Sequence, residues 1–537
     1  MKVIEWKYKM KNLLSILCLS YIFAIDVTLG DARTVPEFGF NGNTVRGPSW
    51  INSEFTDSVG TMKPHLLRYP GGLSTYWDWS TGWFLDSPTI DTLIIDSLPN
   101  NWSSLPYIDI RPIHFHNACN TIDSDGLFVM NMVTIDLETM LIWVQDAIND
   151  GINITKIELG SEINHDNEYK ILKYPTAGDY ARDCQLYIDS LDMIVPNANF
   201  TLVGGNRGET ERAAHWNDSL YAFVDSESFD ALSWHVYLYM KDEHAEFSDR
   251  KFLCYPYYDI PRIEEWRGFQ DTISQIQNHK INVTEYNLFD KSTENIYRNT
   301  WLHSLFLSAM TDNILNNNLV NMVLAHNVGG PTGFDAISND QLTNFEKHAT
   351  GFTGMLYNMV SRDMTESFKL DFPSTFSDTI EYANSNNVIK EVNCPRIFGW
   401  KFSNNQKESG MLTNVTDSSY SITVENAYNS DLLWTHWTAV DTLRAYINGY
   451  DSIERSYQIG KTNISIPPFS LNTCMTVIIG DVTQDNVINI LDIVMVINFI
   501  LDTISPSDKQ EVIADMNDDD IINVLDVLQL SNSILNN

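Results

Sequence analysis

Two glutamates stand where apolar runs stop: Glu162 in Ile157-Glu-Leu-Gly-Ser-Glu-Ile-Asn164 and Glu285 in Ile281-Asn-Val-Thr-Glu-Tyr-Asn287. Two carboxyls facing one pocket are what cleavage of a glycosidic bond requires, one as proton donor and one as nucleophile or base. Polar residues end three further apolar runs, in Leu66-Leu-Arg-Tyr-Pro-Gly-Gly72, Leu232-Ser-Trp-His-Val-Tyr237 and Val323-Leu-Ala-His-Asn327. Arg68 is the candidate cation for keeping a nucleophilic carboxylate ionised. Tyr237 or Tyr286 can hydrogen-bond that carboxylate. His235 can orient the acid or the sugar, or be a satisfied core histidine; His326 is pocket wall or structural cap. Glu158, four residues before Glu162 on the same run, points to the same side but deeper. An acid needs a raised pKa, which burial and a second carboxylate supply.

A second constellation occurs twice near the C-terminus. Asp481, Thr483, Asp485, Asn489 and Asp492 recur 34 residues later as Asp515, Asn517, Asp519, Asn523 and Asp526. With the backbone carbonyls of Val487 and Ile521 they occupy loop positions 1, 3, 5, 7, 9 and 12, the ligand spacing of an EF-hand calcium loop. Position 6 holds Asn486 and Asp520 in place of Gly, types that tolerate the left-handed conformation. Residues 481–537 carry 11 acidic side chains and 1 basic one, a cluster that repels itself without cations. Each loop opens an apolar helical pattern, Leu491, Val494, Ile497, Ile500 and Leu525, Leu528, Ser531, Leu535, whose Leu491 and Leu525 faces are expected to pack together. The pair closely resembles a type I dockerin, the docking module of secreted polysaccharide-degrading enzymes. The resemblance implies two calcium ions and a cohesin-like partner.

The elements that must position the glutamates follow from periodicity. From residue 36 to 362 short apolar runs alternate with amphipathic helical patterns. Strands are expected at 38–44, 65–70, 127–133, 154–160, 200–204, 231–237, 282–286 and 321–326. Helices are expected at 137–149, 177–193, 262–278, 296–315 and 341–359. Eight strands separated by helices predict a (β/α)8 TIM barrel, whose function sits at the C-terminal strand ends. Residues 101–125 read as an insertion. From 363 to 478 helical periods vanish and short alternating runs predict a β-sandwich, joined by residues from before the barrel. Residues 479–537 form the calcium-loop module.

The barrel sequence resembles glycoside hydrolase clan A, in the heparanase, β-glucuronidase, β-xylosidase and arabinofuranosidase branch. The similar segments are Leu67-Arg-Tyr-Pro-Gly-Gly72, Glu158-Leu-Gly-Ser-Glu162, Trp234-His-Val-Tyr237 and Thr284-Glu-Tyr-Asn287. That resemblance implies a retaining enzyme with Glu162 as acid/base and Glu285 as nucleophile, and no cofactor for catalysis. It also marks a departure. The clan places Asn before the acid/base, bonding the sugar 2-hydroxyl, where this chain has Ser161; Asn131, near the end of strand 3, is the candidate to compensate. Trp77 and Trp79, two apart in a loop, are expected to line the cleft, where aromatic faces meet sugar rings.

Composition bounds the rest. Lys+Arg 34 against Asp+Glu 70 gives −36, which excludes nucleic acid and anionic membrane as natural partners. Lys2, Lys7, Lys9 and Lys11 precede an apolar run at 13–25, shorter than a membrane span, so residues 1–30 read as a signal peptide and the protein as secreted or cell-surface. Beyond Cys18, five widely spaced cysteines make no disulfide framework; Cys394 and Cys474 could pair or stay free. The composite reading is a secreted retaining glycoside hydrolase acting on a plant or algal poly- or oligosaccharide. Two alternatives stand beside it: a non-catalytic carbohydrate-binding barrel, and a calcium-linked surface or structural protein.

Overall fold

The structure, a computed structural model, describes residues 24–536 except 43–46, 73, 86–106, 206–211, 213–215, 267–278, 331–333, 339–344, 384–387, 518 and 520. Eight parallel strands close into a barrel: β1 (Glu37–Asn41), β2 (Leu66–Tyr69), β3 (Asp125–Val129), β4 (Lys156–Leu159), β5 (Asn199–Val203), β6 (Ala231–Met240), β7 (Lys280–Asp290) and β8 (Val320–His326). Each falls on an expected run. Both barrel faces are covered, so the strands read as near-continuous apolar stretches. The helix Leu137–Asn149 matches its expected bounds, with Asp136 capping its first turn. Residues 101–125 are not an insertion throughout: Pro112–Ile122 is the crossover helix between β2 and β3, opened by Pro at its first turn.

Parallel register sets which side chains share a layer. Asn41 pairs with Arg68 on one side and His326 on the other. On β6 and β7 the register slips after Trp234↔Val283, so that His235 pairs with Glu285. Thr284 is the extra residue, left without a partner in that register. Thr284 and Glu285, neighbours that a regular strand would send to opposite faces, both reach the His235 ring.

The helix Trp301–Leu315 is buried along its whole length, between the barrel and an antiparallel sheet that includes the strands Glu366–Asp371, Ile397–Ser403, Glu408–Asn414, Leu432–Ala439, Ile453–Ile459 and Ser470–Thr476. Burial on all sides explains why its amphipathic signal is weak. Residues before the barrel join this region: Thr28–Leu29 and Arg33–Thr34 pair with Glu366–Asp371, and Ile25–Asp26 pairs with Tyr420–Thr423 of a smaller sheet. Val27 is fully buried there. Residues 1–23, most of the expected 1–30 leader, lie outside the described ones, while Ile25–Asp26 and Thr28–Leu29, within its expected bounds, are paired in the fold. Cys394 pairs with Cys254, tying the β6–β7 connection to the sandwich, while Cys474 is a buried free thiol. The Cys394–Cys474 option is therefore corrected: separation along the chain carries no information about which sulfurs meet in space.

The C-terminal module packs on the sandwich through Leu433, Val482, Val496, Phe499, Ile513 and Leu530. The expected burial of the Leu491 and Leu525 faces is overturned, since those residues are 57% and 53% exposed. Its first helix, Ile490–Ile500, is apolar nearly all round. Periodicity alone does not say which stripe goes inward. No described helix is long and apolar enough to cross a membrane.

Candidate active site

Asn41, Arg68, His235, Glu285 and His326 meet at the C-terminal end of the barrel, with Glu162 on the turn after β4. Glu285 is buried. Its Oε1 accepts from Arg68 at 2.7 Å and from Asn41 Nδ2 at 3.1 Å; its Oε2 accepts from the Tyr237 hydroxyl at 2.6 Å. Burial opposes its charge, but His235, His326 and Arg68 outweigh this and hold the carboxyl below its ordinary value. Burial also pushes the His326 imidazole down, so Arg68 is the permanent charge of this set. Gly72 completes the fit: a Cβ there would lie 2.8 Å from Glu285 Oε1.

Arg68 is fully buried and spends its guanidinium on four groups. Nε reaches Glu158 at 2.6 Å; the remaining nitrogens reach Glu285, Asn41 Oδ1 and Ser161 Oγ. Glu158 is thus the deep counter-ion of Arg68.

Glu162 is about a third exposed, with a side-chain accessibility of 32%. Its Oε1 lies 3.0 Å from His235 Nδ1 and its Oε2 lies 3.2 Å from His165 Nδ1. Burial opposes ionisation, yet the hydrogen bonds and charge of His165 and His235 carry the carboxyl well below its ordinary range. This corrects the expectation of a raised pKa: two imidazoles, absent from the motif-level argument, outweigh burial and the second carboxylate. A hydrogen bond across the Glu162–His235 contact needs one proton between oxygen and nitrogen.

The turn carrying Glu162 is held from below. Glu162 itself has φ 50°, and Gly160 before it has φ 85° with Ile163 only 2.7 Å from where a Cβ would be. Lys170 donates its ammonium to the Glu162 carbonyl at 2.7 Å. Burial lowers the Lys170 pKa to about 8, against the pull of Glu162. Arg212 donates to the carbonyls of Ile163, Asn164, His165 and Tyr174 and pairs with Asp166. Nothing along the sequence points to Lys170, Asn41 or Gly72. The one signal that points to His165 is its place three residues after Glu162.

Four candidates do not reach the cleft. Trp77 is fully buried and donates its ring N–H to Tyr69 at 2.8 Å. Trp79 packs against Tyr69 and Phe128 and lines a 310 Å³ surface hollow with Arg111 and Trp143, away from the glutamates. Asn131 is fully buried; its amide bonds the Trp77 carbonyl and Thr134, and its oxygen accepts from Val133 and Thr134. It fixes the Trp77 loop and has no capacity left for sugar. Tyr286 points outward, its hydroxyl 2.9 Å from Thr311, because it alternates with Glu285 along β7. Ser161, 1% exposed, closes the Arg68 shell.

The calcium loops carry a matching donor set. Asp492 and Asp526, at position 12, are fully buried. Asn486 has φ 68°, the left-handed geometry position 6 requires; Asp520 lies outside the described residues. The buried Oδ1 of Asn517, at position 3, has no hydrogen-bond partner among the described residues. An oxygen left so at a ligand position suits a cation that Asp515, Asn517, Asp519, Ile521, Asn523 and Asp526 could hold, as Asp481, Thr483, Asp485, Val487, Asn489 and Asp492 could hold a second.

Comparison with known proteins agrees with this architecture. Residues 479–535 match the dockerin type I domain family. No curated protein matches the sequence. Among solved structures, a thermostable family 51 α-L-arabinofuranosidase from Thermotoga petrophila is similar at TM-score 0.63 and 15% identity, covering 84% of this chain and 100% of that one. A family 51 α-L-arabinofuranosidase from Bifidobacterium longum gives 0.64 at 13% identity, with coverage of 84% and 100%. A 4-O-α-L-rhamnosyl-β-D-glucuronidase from Fusarium oxysporum gives 0.54 at 12% identity, with the same coverage. The chain thus joins a type I dockerin domain to a barrel and sandwich with the fold of the family 51 α-L-arabinofuranosidases.

Proposed function

We propose that the protein is a secreted retaining glycoside hydrolase, acting on a plant or algal poly- or oligosaccharide and displayed through its dockerin on a cohesin-like partner. One observation carries the reaction: an oxygen of Glu162, an oxygen of Glu285 and a nitrogen of His235 lie within 4.8 Å of one another. Retaining pairs stand about 5–5.5 Å apart, whereas inverting pairs leave about 6.5–9.5 Å for a water. Glu285 attacks the anomeric carbon and Glu162 protonates the departing oxygen. Glu162 then takes a proton from the water that releases the sugar. Tyr237 donates to Oε2 of Glu285, the oxygen nearer His235, and so positions the nucleophile. The Cys254–Cys394 disulfide supports an oxidising compartment.

A screen of aryl glycosides and polysaccharides tests this, beginning with α-L-arabinofuranosides because of the fold relatives. Products should keep the configuration of the cleaved bond. Carbohydrate binding without any hydrolysis would favour the non-catalytic barrel instead.

The pH profile adds a signed expectation. His165 lowers the Glu162 pKa, so His165→Ala should let the carboxyl keep its proton to higher pH. The alkaline limb of kcat/KM should move upward in pH. The acid limb, set by protonation of a Glu285 already held low, should stay in place. An alkaline limb that does not move, or moves down, removes His165 from the acid's environment.

For the dockerin, calorimetry should count two calcium ions per chain, and Asp492→Ala and Asp526→Ala should each remove one, since each contributes the buried position-12 carboxylate of its loop. The Leu491 and Leu525 faces, left exposed, supply apolar surface for a partner. No calcium uptake at millimolar concentration would refute this part.

A further inference from the structure

Between the two glutamates, the geometry points to a second occupant besides sugar. We propose that Glu162, Glu285 and His235 form a binding site for a divalent transition metal of the zinc class, and that its occupancy shuts the cleft. Binding stands apart from the proposed hydrolysis; only the inhibition rests on it.

The distances suit such an ion. His235 Nδ1 is 3.0 Å from Glu162 Oε1 and 3.6 Å from Glu285 Oε2. Zinc–ligand bonds of ~2.0–2.1 Å in tetrahedral geometry separate neighbouring ligands by about 3.3 Å. The third edge, between the carboxylates, is at most 4.8 Å and would have to shorten for both to bind one ion. Two carboxylates and one imidazole leave the fourth position open toward the cleft, where Glu162 meets solvent.

The ring's tautomer is what makes His235 a ligand rather than a bystander. Glu158, paired with Arg68, can only accept. Thr284 Oγ1 donates to Glu158 Oε1 at 3.3 Å, so its own lone pair receives the proton on His235 Nε2 at 3.1 Å. With the Nε2 proton held on Thr284, an ion that displaces the proton between His235 Nδ1 and Glu162 would meet the Nδ1 lone pair in the gap between the glutamates. A carboxylate acting through a hydroxyl on the far nitrogen of a histidine is the kind of outer support that orients metal-binding imidazoles. Calcium, which takes 6–8 oxygen ligands, fits this set poorly; zinc and copper suit it. An ion here occupies the place of the proton between Glu162 and His235 and covers the Oε2 of Glu285.

The test uses the full chain with calcium saturating its dockerin, so that added zinc meets no free calcium loop. Calorimetry with zinc chloride should count one more equivalent for the unmodified protein than for His235→Gln or Glu162→Gln. Surface zinc sites subtract out between them. Equal counts overturn the site. Should a variant fail to fold, cobalt(II) on the unmodified chain gives the answer: visible bands of an imidazole-ligated ion that a bound sugar displaces support the site, and their absence overturns it. In turnover, zinc should raise the apparent KM in proportion to its free concentration while kcat holds; zinc bound at the site without that effect overturns the inhibition. An unmodified, metal-free protein that hydrolyses no glycoside counts against the proposed reaction and leaves the zinc count to be read on its own.

Discussion

Glu285→Gln should yield a folded protein whose turnover falls on the order of 10⁴-fold or more, the scale on which removing a catalytic nucleophile acts. The amide conserves volume in a buried site, so packing around Gly72 and Tyr237 should survive. It cannot carry the charge that attacks the anomeric carbon. Arg68 loses one of its two carboxylates and keeps Glu158, which is why the barrel should stay assembled. Circular dichroism and thermal unfolding check the fold, and aryl-glycoside kinetics check the loss. Hydrolysis at the normal rate would reassign the nucleophile, and Glu158, locked beneath Arg68, is too deep to replace it.

Glu162→Ala should separate substrates by leaving group. General acid catalysis supplies roughly 10²–10⁴-fold. Substrates with poor leaving groups should lose that factor, while activated aryl glycosides still form the glycosyl-enzyme. Azide, which needs no base, should then restore turnover and give a glycosyl azide of retained configuration. Rescue of a Glu285→Ala variant to an inverted azide is the complementary result expected of a nucleophile knockout. If azide rescues nothing in Glu162→Ala, the acid/base role fails. An inverted product from the unmodified enzyme refutes retention altogether.

Much of the site is legible in the sequence because strand-end residues announce themselves. Arg68, Glu162, His235, Tyr237, Glu285 and His326 each end an apolar run, and parallel register brings five of those six residues to one end of the barrel on neighbouring strands. The two tryptophans depart from expectation for a definable reason. Trp77 and Trp79 sit in a loop that folds back onto Tyr69 and Phe128, and an aromatic in a loop reads the same whether it faces sugar or core. Asn131 departs in a similar way: an amide near a strand end serves its own turn as readily as a ligand.

The sequence by itself determined the barrel, the sandwich, the duplicated dockerin loops and the place of two glutamates where apolar runs end, because each rests on local period or spacing. Tertiary structure alone decided what those residues experience. The slip between Trp234 and His235 puts one imidazole against both glutamates, and no pattern along either strand encodes a register between strands. His165 and His235 set the charge of Glu162 against the expected direction, because a pKa belongs to the surroundings of a group rather than to its type. Cys254 found Cys394 across 140 residues, and the Leu491 face stayed outside while Val496 went in. In each case the deciding quantity is a distance through space between parts of the chain that are remote along it.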